Sequence, residues 1–373
     1  MNNQPKNLTT RRNINSLYIH LPFCSHLCHY CDFPKMLYDE KMAFEYLDAL
    51  FLEIDLYKID SVKTLYIGGG TPTALPPSLL EKLLKKVRPF LDQDGEFTVE
   101  INVENATDEK LAILKNNGIN RLSIGVESTS DRILRLLNRR HTFKQAQELV
   151  RKAKAMGFVS INVDLIYGLP TQTKKHLIDD LNNLLALDPE HLSVYSLTVH
   201  PGTVFYLNGI KEQDEDQSRD HYDLILKTLR KAGYRRYEVS NFAKPGHESR
   251  HNLTYWRNEE YYGVGLGAAG YVDNVRYENT RSLTAYLKHT FRLNEEKVDT
   301  REKEKYFWIL NLRLEEGFLI SDYYREFGEK ALERHMRTIE EAICDGLMIK
   351  TNDRIRLTDG GLMLLDRLLV KLI

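Results

Sequence analysis

Apolar and β-branched runs alternate with segments of helical spacing through the first two thirds of the chain. Runs rich in Val, Ile, Leu and Tyr are typical of buried strands. They lie at residues 17–21, 64–67, 97–103, 122–126, 160–167 and 192–199. Because strand and helix alternate six times, the pattern predicts an α/β fold whose parallel sheet is covered by helices. Periodicity alone leaves a barrel and a doubly wound sheet as alternatives.

Hydroxyl residues mark the expected starts of several helices. The segments SLLE at residues 78–81 and TFKQ at residues 142–145 fit the capping box. In this motif, a hydroxyl and a carboxyl or amide side chain bind backbone amides at the first turn. Thr107 and Thr173 are expected to cap two further helices.

The pattern changes after residue 235. Residues 236–300 are rich in Gly and aromatic residues without a long helical period, which predicts loops and short strands. Helical spacing returns from residue 301, with two short strands at 347–350 and 354–357 and a last helix capped by Thr358. We therefore predict a core over 1–235, an extension over 236–300 and a small helical, winged-helix-like domain over 301–373.

Composition and charge narrow the class of protein. The chain is 42% hydrophobic and 28% charged, and its 52 Lys and Arg against 53 Asp and Glu give a net charge of -1. This balance offers no electrostatic reason to expect a nucleic-acid partner. The apolar runs are too short to cross a bilayer, and the polar first fifteen residues lack the apolar segment of a signal peptide. We expect a cytoplasmic protein that is not integral to a membrane, with its thiols reduced.

Three of the four cysteines are clustered. Cys24, Cys28 and Cys31 have the spacing CxxxCxxC and directly follow the first predicted strand. Parallel sheets place their chemistry at the C-terminal ends of the strands. Clustered cysteines in a reducing compartment more often bind metals than form disulfides. The fourth, Cys344, ends a predicted amphipathic helix and is expected to pack as a small hydrophobic residue.

Two kinds of metal site fit the cysteine motif. A zinc site would need a fourth ligand from His20, His26 or His29. A [4Fe–4S] cluster held by three thiolates would instead leave one iron open. An open iron can bind the amino and carboxylate groups of S-adenosylmethionine, a cofactor of radical chemistry.

Groups further along the chain favour the second interpretation. The glycines at residues 68–70 end the second predicted strand, where they would let the main chain approach a ligand closely. Acidic residues recur at the ends of three other strands: Glu100, Glu127 and Asp164. A single buried acid is more often a hydrogen-bonded structural group, but three at similar strand positions indicate a binding site.

The motifs LYIHLPFCSHLCHYCDF, LYIGGGTPTAL, GINRLSIGVES and INVDLIYGLPTQT resemble the radical S-adenosylmethionine superfamily. Within it, they resemble the branch of oxygen-independent coproporphyrinogen III oxidases and haem chaperones. The resemblance runs from about residue 16 to the C-terminus. It implies a partial (βα)6 barrel with a [4Fe–4S] cluster at its top, S-adenosylmethionine as cofactor and a small C-terminal domain.

The resemblance also assigns the cofactor contacts. It implies that the cluster is held by Cys24, Cys28 and Cys31. It implies contacts to S-adenosylmethionine from Tyr18, Tyr30, Gly69, Gly70, Thr71, Glu100, Glu127, Arg139 and Asp164. The family usually reads GVQS where this chain reads GVES, so Glu127 replaces an amide. An ionised carboxylate accepts hydrogen bonds but cannot donate them, which puts this one contact in doubt.

Three features indicate whether the chain resembles the oxidases or the haem chaperones. The oxidases carry a further cysteine two positions after the third, where this chain has Phe33, and a long extension before the motif, where 23 residues precede Cys24. Both differences favour the haem chaperones. The segment RHNLTYW at residues 250–256 matches the HNxxYW motif that this branch associates with haem binding. It implies His251 as an axial haem ligand, and a neutral imidazole suits that role.

The sequence thus predicts a carrier that delivers haem to acceptor haemoproteins such as membrane respiratory enzymes, and it leaves a homodimer open. Two alternatives remain. One is an oxygen-independent coproporphyrinogen III oxidase of porphyrin biosynthesis. The other is a binding module that is stabilised by a structural zinc ion.

Overall fold

The computed structural model describes residues 14–373, so the polar segment at residues 1–13 lies outside the described part. The strands are β1 Ser16–Leu21, β2 Phe23–Cys24, β3 Met36–Leu37, β4 Val62–Gly69, β5 Leu91–Asn102, β6 Arg121–Glu127, β7 Ser160–Tyr167, β8 His191–Ser196, β9 Arg235–Arg236, β10 Asn241–Ala243, β11 Tyr262–Val264, β12 Ala269–Val272, β13 Val275–Asn279, β14 Arg292–Lys297, β15 Phe318–Leu319, β16 Met348–Lys350 and β17 Arg354–Leu357.

The α-helices are α1 Glu40–Leu56, α2 Pro77–Val87, α3 Asp108–Asn116, α4 Asp131–Leu136, α5 Phe143–Ala155, α6 Lys174–Leu185, α7 Val204–Leu207, α8 Glu215–Lys231, α9 Arg250–Trp256, α10 Leu283–Leu287, α11 Thr300–Asn311, α12 Ile320–Phe327, α13 Glu329–Glu333, α14 Met336–Cys344, α15 Asp359–Met363 and α16 Leu365–Leu372. Within residues 14–373, no helix is both long enough and apolar enough to span a membrane.

The large sheet has the strand order β11-β1-β4-β5-β6-β7-β8-β10-β9. The six predicted strands are β1 and β4 to β8, and every neighbouring pair among them is parallel. The α/β fold with its six successive βα units is therefore confirmed. Since the strands are parallel, their C-terminal ends meet along one edge of the sheet.

Apolar residues on both faces explain why this sheet is covered by helices. Leu17, Ile19 and Leu21 of β1 are fully buried, and β6 is buried along its whole length. The helix α2 buries Leu residues at helical spacing on one side only, which is the pattern of a helix packed on a sheet.

Helix caps follow the sequence prediction with one exception. Thr142 and Gln145 form the complete capping box, and Thr107, Thr173 and Thr358 cap their helices through the side-chain oxygen. The prediction of a capping box at residues 78–81 is wrong.

The reason lies in the two prolines that precede this segment. The helix α2 begins at Pro77, and its cap is Pro76 without a side-chain hydrogen bond. Proline has the φ angle of a helix already and needs no donor at this position. Ser78 therefore lies inside the first turn instead of capping it.

The C-terminal part has its own apolar core, which is drawn from residues 307–372 and includes Trp308 and Tyr323, both 0% exposed. The predicted hairpin is present as β16 and β17, and β15 joins it in a three-stranded sheet. The prediction for Cys344 is wrong: it ends α14 as expected, but it is exposed. The last turn of this helix turns its thiol toward solvent instead of toward the core.

The extension after residue 235 contains short strands, as predicted, but also helix. The motif RHNLTYW forms α9 instead of a loop, and α10 follows. Phe242 and Val264 of this region belong to the same apolar core as β1. The unit boundaries at residues 235 and 300 stay predictions.

Candidate functional site

A cavity of about 390 Å³ opens at the C-terminal edge of the parallel sheet. Its volume lies within the range of small-molecule sites in proteins. Eleven of the predicted site residues line it: Cys24, Cys28, Tyr30, Cys31, Gly69, Gly70, Thr71, Glu100, Glu127, Arg139 and Asp164. The structure thus brings together groups from β2, the loop after it and the ends of β4, β5, β6 and β7.

The three cysteines face this cavity as free thiols. Cys24 is buried at the end of β2, and Cys28 and Cys31 are half-buried in the loop that follows. The Thr71 hydroxyl lies 3.9 Å from the Cys24 sulfur, and Arg139 Nη1 lies 3.7 Å from the Cys28 sulfur. Donors of this kind stabilise the sulfur ligands of a metal centre.

Burial disfavours the charged form of these thiols. It raises the pKa of Cys24 to about 11 and also raises the pKa of Cys31. The cation of Lys35, which lines the same cavity and donates to the Cys31 carbonyl oxygen, acts in the opposite direction. Because metal binding requires deprotonated thiols, loading of this site releases protons.

The histidines near the motif have other partners. His20 is hydrogen-bonded through both ring nitrogens, at 3.0 Å to the Tyr18 hydroxyl and at 2.8 Å to a backbone carbonyl oxygen. His29 Nδ1 bonds a carbonyl oxygen at 2.9 Å, and His26 Nε2 lies 3.3 Å from Glu104. Within residues 14–373, no three His, Cys, Asp or Glu side chains are gathered around a point that could hold one metal ion. A cluster binds each thiolate at a different iron, so the arrangement fits a cluster better than a Cys3His zinc site.

The glycine turn after β4 forms one wall of the cavity. Gly69 has φ +114°, and a Cβ there would lie 2.6 Å from the ring of His20. A Cβ at Gly70 would lie 2.7 Å from the Phe23 carbonyl oxygen. Only glycine permits this backbone path. The sequence predicted that the glycines let the main chain approach a ligand closely, but the atoms they approach here include His20 and Phe23 of the protein itself.

The three acids at strand ends converge on the cavity. Glu100 accepts hydrogen bonds from the Tyr66 hydroxyl at 2.7 Å and from Gly69 N at 2.9 Å. Burial raises the pKa of Glu127 to about 7, that of Asp164 to about 6 and that of Glu100 in the same direction. Three carboxyl groups thus stand in a poorly solvated space where a ligand with donor groups or positive charge would relieve their desolvation.

Glu127 is held in a strained position. Its φ is +68°, in the left-handed region, and the pairing register of β6 and β7 shifts between Gly125 and Glu127. Arg139 donates to the Gly125 carbonyl oxygen and approaches Glu127 to 3.9 Å. Non-glycine residues with positive φ are uncommon and cluster at functional sites.

Glu104, His26 and His141 form a cluster beside the cysteine loop that the sequence did not predict. Glu104 lies 3.3 Å from His26 and 3.4 Å from His141. Hydrogen bonds to Cys28 and Glu104 raise the pKa of His26 to about 9. Burial opposes the ionised form of Glu104, but its hydrogen bonds to the two histidines hold its pKa well below the usual range. His26 lies inside the cysteine motif, whereas no local pattern marks the other two residues.

Two predicted residues, Tyr18 and His251, are not among the cavity-lining residues. His251 is 1% exposed and lies beside Thr64 near the start of β4, whereas the cavity lies at the other end of this strand. Its Nδ1 bonds the Thr64 hydroxyl at 2.8 Å, and its Nε2 bonds the Tyr255 hydroxyl at 2.8 Å. Burial lowers the pKa of His251 to about 3, so the ring is neutral. Axial ligation of haem would require one of these bonds to break, and the assignment stays a prediction.

Comparison with known proteins agrees with this fold. Residues 18–184 match the model of the radical SAM superfamily, and residues 306–364 match that of the HemN C-terminal domain. The solved structure of coproporphyrinogen III oxidase HemN from Escherichia coli superposes with a TM-score of 0.83 at 25% identity, covering 96% of this chain and 90% of that chain. Fold and site therefore define a radical SAM protein.

Curated relatives identify the family within this class. Haem chaperone HemW of Lactococcus lactis subsp. lactis is 38% identical over 356 residues, covering 93% of this chain and 94% of that protein. Haem chaperone HemW of Bacillus subtilis is 38% identical over 368 residues, covering 94% and 97%. The chain belongs to the HemW family of the radical SAM superfamily, which confirms the resemblance predicted from the motifs.

Proposed function

We propose that this protein is a cytoplasmic haem carrier that binds one [4Fe–4S] cluster through Cys24, Cys28 and Cys31 and holds S-adenosylmethionine in the adjoining cavity. The observation that carries the proposal is the convergence of three free thiols, a glycine turn and three acids, of which Glu127 is buried and the other two are half-buried, on one cavity.

The residues of the cavity suit the two cofactors. When bound, a cluster with an open iron anchors the amino and carboxylate groups of S-adenosylmethionine and can supply it with an electron. Glu100 and Asp164 offer acceptors for ribose hydroxyl or amino groups, and Gly70 and Thr71 offer backbone at the cavity wall. Arg139 and Lys35 provide positive charge beside the thiolates. The side chain of Tyr30 supplies an aromatic wall.

Haem binding and delivery are proposed from family membership and from the HNxxYW motif. The relatives are named haem chaperones, and we propose that this chain likewise passes haem to acceptor haemoproteins such as membrane respiratory enzymes. The proposal that His251 is the axial ligand carries a structural condition. Its ring must leave Thr64 or Tyr255, which requires α9 to move.

A second candidate function is oxygen-independent coproporphyrinogen III oxidase, because the HemN structure shares the fold over nearly the whole chain. The residue two positions after the third cysteine is Phe33, which is 63% exposed and lines the cavity. A phenyl side chain cannot replace the cysteine that the oxidases carry there, which favours the carrier.

The two functions are separated by one experiment on anaerobically reconstituted protein. In one arm, haem is titrated and followed by its Soret absorbance, and the loaded protein is mixed with membranes whose respiratory enzyme lacks haem. In the other arm, coproporphyrinogen III, S-adenosylmethionine and a reductant are supplied. We expect saturable haem binding, recovery of respiratory activity and no protoporphyrinogen. Many turnovers to protoporphyrinogen would overturn the carrier function.

A further inference from the structure

Two adjacent residues of the HNxxYW motif, His251 and Asn252, begin two buried polar chains that lead to the cofactor cavity. The helix that carries them is fixed at its start by Glu96 of β5. This carboxylate accepts from Arg250 N at 2.9 Å and from His251 N at 3.0 Å. A carboxylate at this position satisfies amides that the first helical turn leaves without a partner.

The first chain runs from His251 to Glu100. Thr64 donates its hydroxyl proton to Ser16 at 2.8 Å, so His251 donates from Nδ1 to Thr64 and accepts at Nε2 from Tyr255. The ring fixed in this way stacks on Tyr66 with a centroid distance of 5.1 Å and an interplanar angle of 27°.

Tyr66 completes this first chain. Its hydroxyl donates to Glu100 Oε1 at 2.7 Å, and the other oxygen of Glu100 accepts from Gly69 N. The imidazole ring thus supports the phenol ring that orients a carboxylate of the cavity wall.

The second chain runs from Asn252 to Asp164. Asn252 Nδ2 lies 3.5 Å from the Tyr237 hydroxyl, which lies 2.8 Å from His191 Nε2. His191 Nδ1 lies 2.6 Å from Asn162 Oδ1, and Asn162 Nδ2 donates to Asp164 Oδ1 at 2.6 Å.

The second chain has a single consistent direction of donation. Burial holds the pKa of His191 well below its ordinary value, so the ring is neutral. Because Asn162 Oδ1 can only accept, the proton of His191 must lie on Nδ1, and Nε2 accepts from Tyr237. Asn252 donates to Tyr237, and every later donor then points toward Asp164. Fully paired buried networks of this kind fix the rotamers of their members.

We propose that His251 and Asn252 are positioning residues for S-adenosylmethionine, which hold Glu100 and Asp164 in the conformation that receives the cofactor. This inference rests on the proposed binding of S-adenosylmethionine in the cavity. In this role the HNxxYW motif positions side chains of the cavity and does not contact haem. The motif lies near the start of β4, at the opposite end of this strand from the cavity, and its effect reaches the cavity through Tyr66 and through His191.

The test measures S-adenosylmethionine affinity of the cluster-reconstituted full chain by equilibrium dialysis. The reduced cluster is followed in parallel by electron paramagnetic resonance with and without the cofactor. The variants are His251→Ala, Asn252→Ala and Tyr66→Phe. The matched control is His221→Ala, which truncates a buried histidine on α8 that belongs to neither chain.

We expect His251→Ala to weaken binding about tenfold, the effect of losing the support of one well-placed hydrogen bond. Asn252→Ala should weaken it by a smaller factor, because the contact between Asn252 and Tyr237 is 3.5 Å long and only partly buried. The control should bind like the wild type. Within one hydrogen-bonded chain the losses of S-adenosylmethionine affinity should not add. His251→Ala combined with Tyr66→Phe should therefore resemble His251→Ala alone. The two hydrogen-bonded chains end on different carboxyl groups, so His251→Ala with Asn252→Ala should bind S-adenosylmethionine more weakly than either single variant.

Wild-type affinity in both single variants, at unchanged iron content, would overturn the inference. So would a His251→Ala variant that loses haem affinity and keeps S-adenosylmethionine affinity, since that is the behaviour of a haem ligand. Tyr66→Phe removes only a hydroxyl, and it keeps the test decisive if His251→Ala does not fold. Absence of binding by the wild type would overturn the proposed function itself, and the inference with it.

Discussion

At the scale of single residues, the site combines features that oppose stability. Glu127 has a positive φ, is 8% exposed and shares its cavity with two other acids. Such a position persists only because the surrounding structure enforces it. Arg139 is the nearest cation, at 3.9 Å. Ionisation of Glu127 therefore costs stability, and a ligand with donor groups or positive charge beside it would reduce that cost.

The pH dependence of stability should report this charge. Burial raises the pKa of Glu127 from 4.5 to about 7. Its contribution to folding is fully present below pH 4.5 and is lost as pH rises through 7, because the folded protein must then ionise a buried acid. In Glu127→Gln the side chain stays neutral, so the cofactor-free variant should exceed the wild type at pH 8 by about 2 kcal/mol. Denaturant unfolding at pH 5 and pH 8 measures this difference.

Glu45→Gln provides the control, because this side chain is 50% exposed on α1. It should leave the difference between pH 5 and pH 8 unchanged. Equal pH dependence of the wild type and Glu127→Gln would contradict the account of this carboxyl group.

Gly69 allows a second test at this scale. Gly69→Ala places a methyl group 2.6 Å from the His20 ring at φ +114°, whereas Gly233→Ala adds only the strain of φ +88°, with no atom within 4 Å. The first should lower the free energy of unfolding by about 3 kcal/mol and the second by about 1 kcal/mol. Denaturant unfolding of both variants gives the comparison, and equal losses would show that the approach to His20 is not tight.

The sequence predicted which side chains would lie together better than it predicted their hydrogen-bond partners. The cysteines and the three acids converge on one cavity because the cysteine motif comes after β1 and the acids lie in the neighbouring parallel strands β5, β6 and β7. The contacts of Glu104 with His26 and His141 could not be predicted, because they join segments far apart in the chain.

At the scale of helices and strands, the sequence predicted correctly those elements that have a strong local pattern. The strand β7 has the predicted bounds, since a run of apolar and β-branched residues marks it clearly. The helix α9 was missed because its seven residues are too few to show a helical period and mix aromatic with polar side chains. It is held by tertiary contacts instead, above all by Glu96 of β5.

The anchor of α9 can be tested through Glu96. Glu96→Ala removes the acceptor for two backbone amides and the Ser249 hydroxyl, and should destabilise the protein by about 2 kcal/mol. Glu96→Gln keeps one acceptor oxygen and should lose about half as much. Thermal or denaturant unfolding measures both, and an unchanged Glu96→Ala variant would show that α9 is held by other contacts.

At the scale of the whole molecule, one parallel sheet carries the site and a second apolar core forms the C-terminal part. Alternation of strand and helix was enough to predict the six parallel strands, but not the pairing of β11 with β1 and of β10 with β8, which joins segments far apart in the chain. The two parts meet through charged residues: Arg230 and Arg236 both pair with Asp359. The fold brings the cysteine loop, the glycine turn and the acids to one edge of the sheet, where we expect a [4Fe–4S] cluster to bind.

The most direct test of this claim is the iron and acid-labile sulfide content of the anaerobically reconstituted chain. We expect about four iron and four sulfide per wild-type chain. Alanine at Cys24, Cys28 or Cys31 should abolish stable incorporation. Alanine at the exposed Cys344 should leave it unchanged. One zinc per chain without sulfide, or a cluster lost equally in Cys344→Ala, would contradict the account.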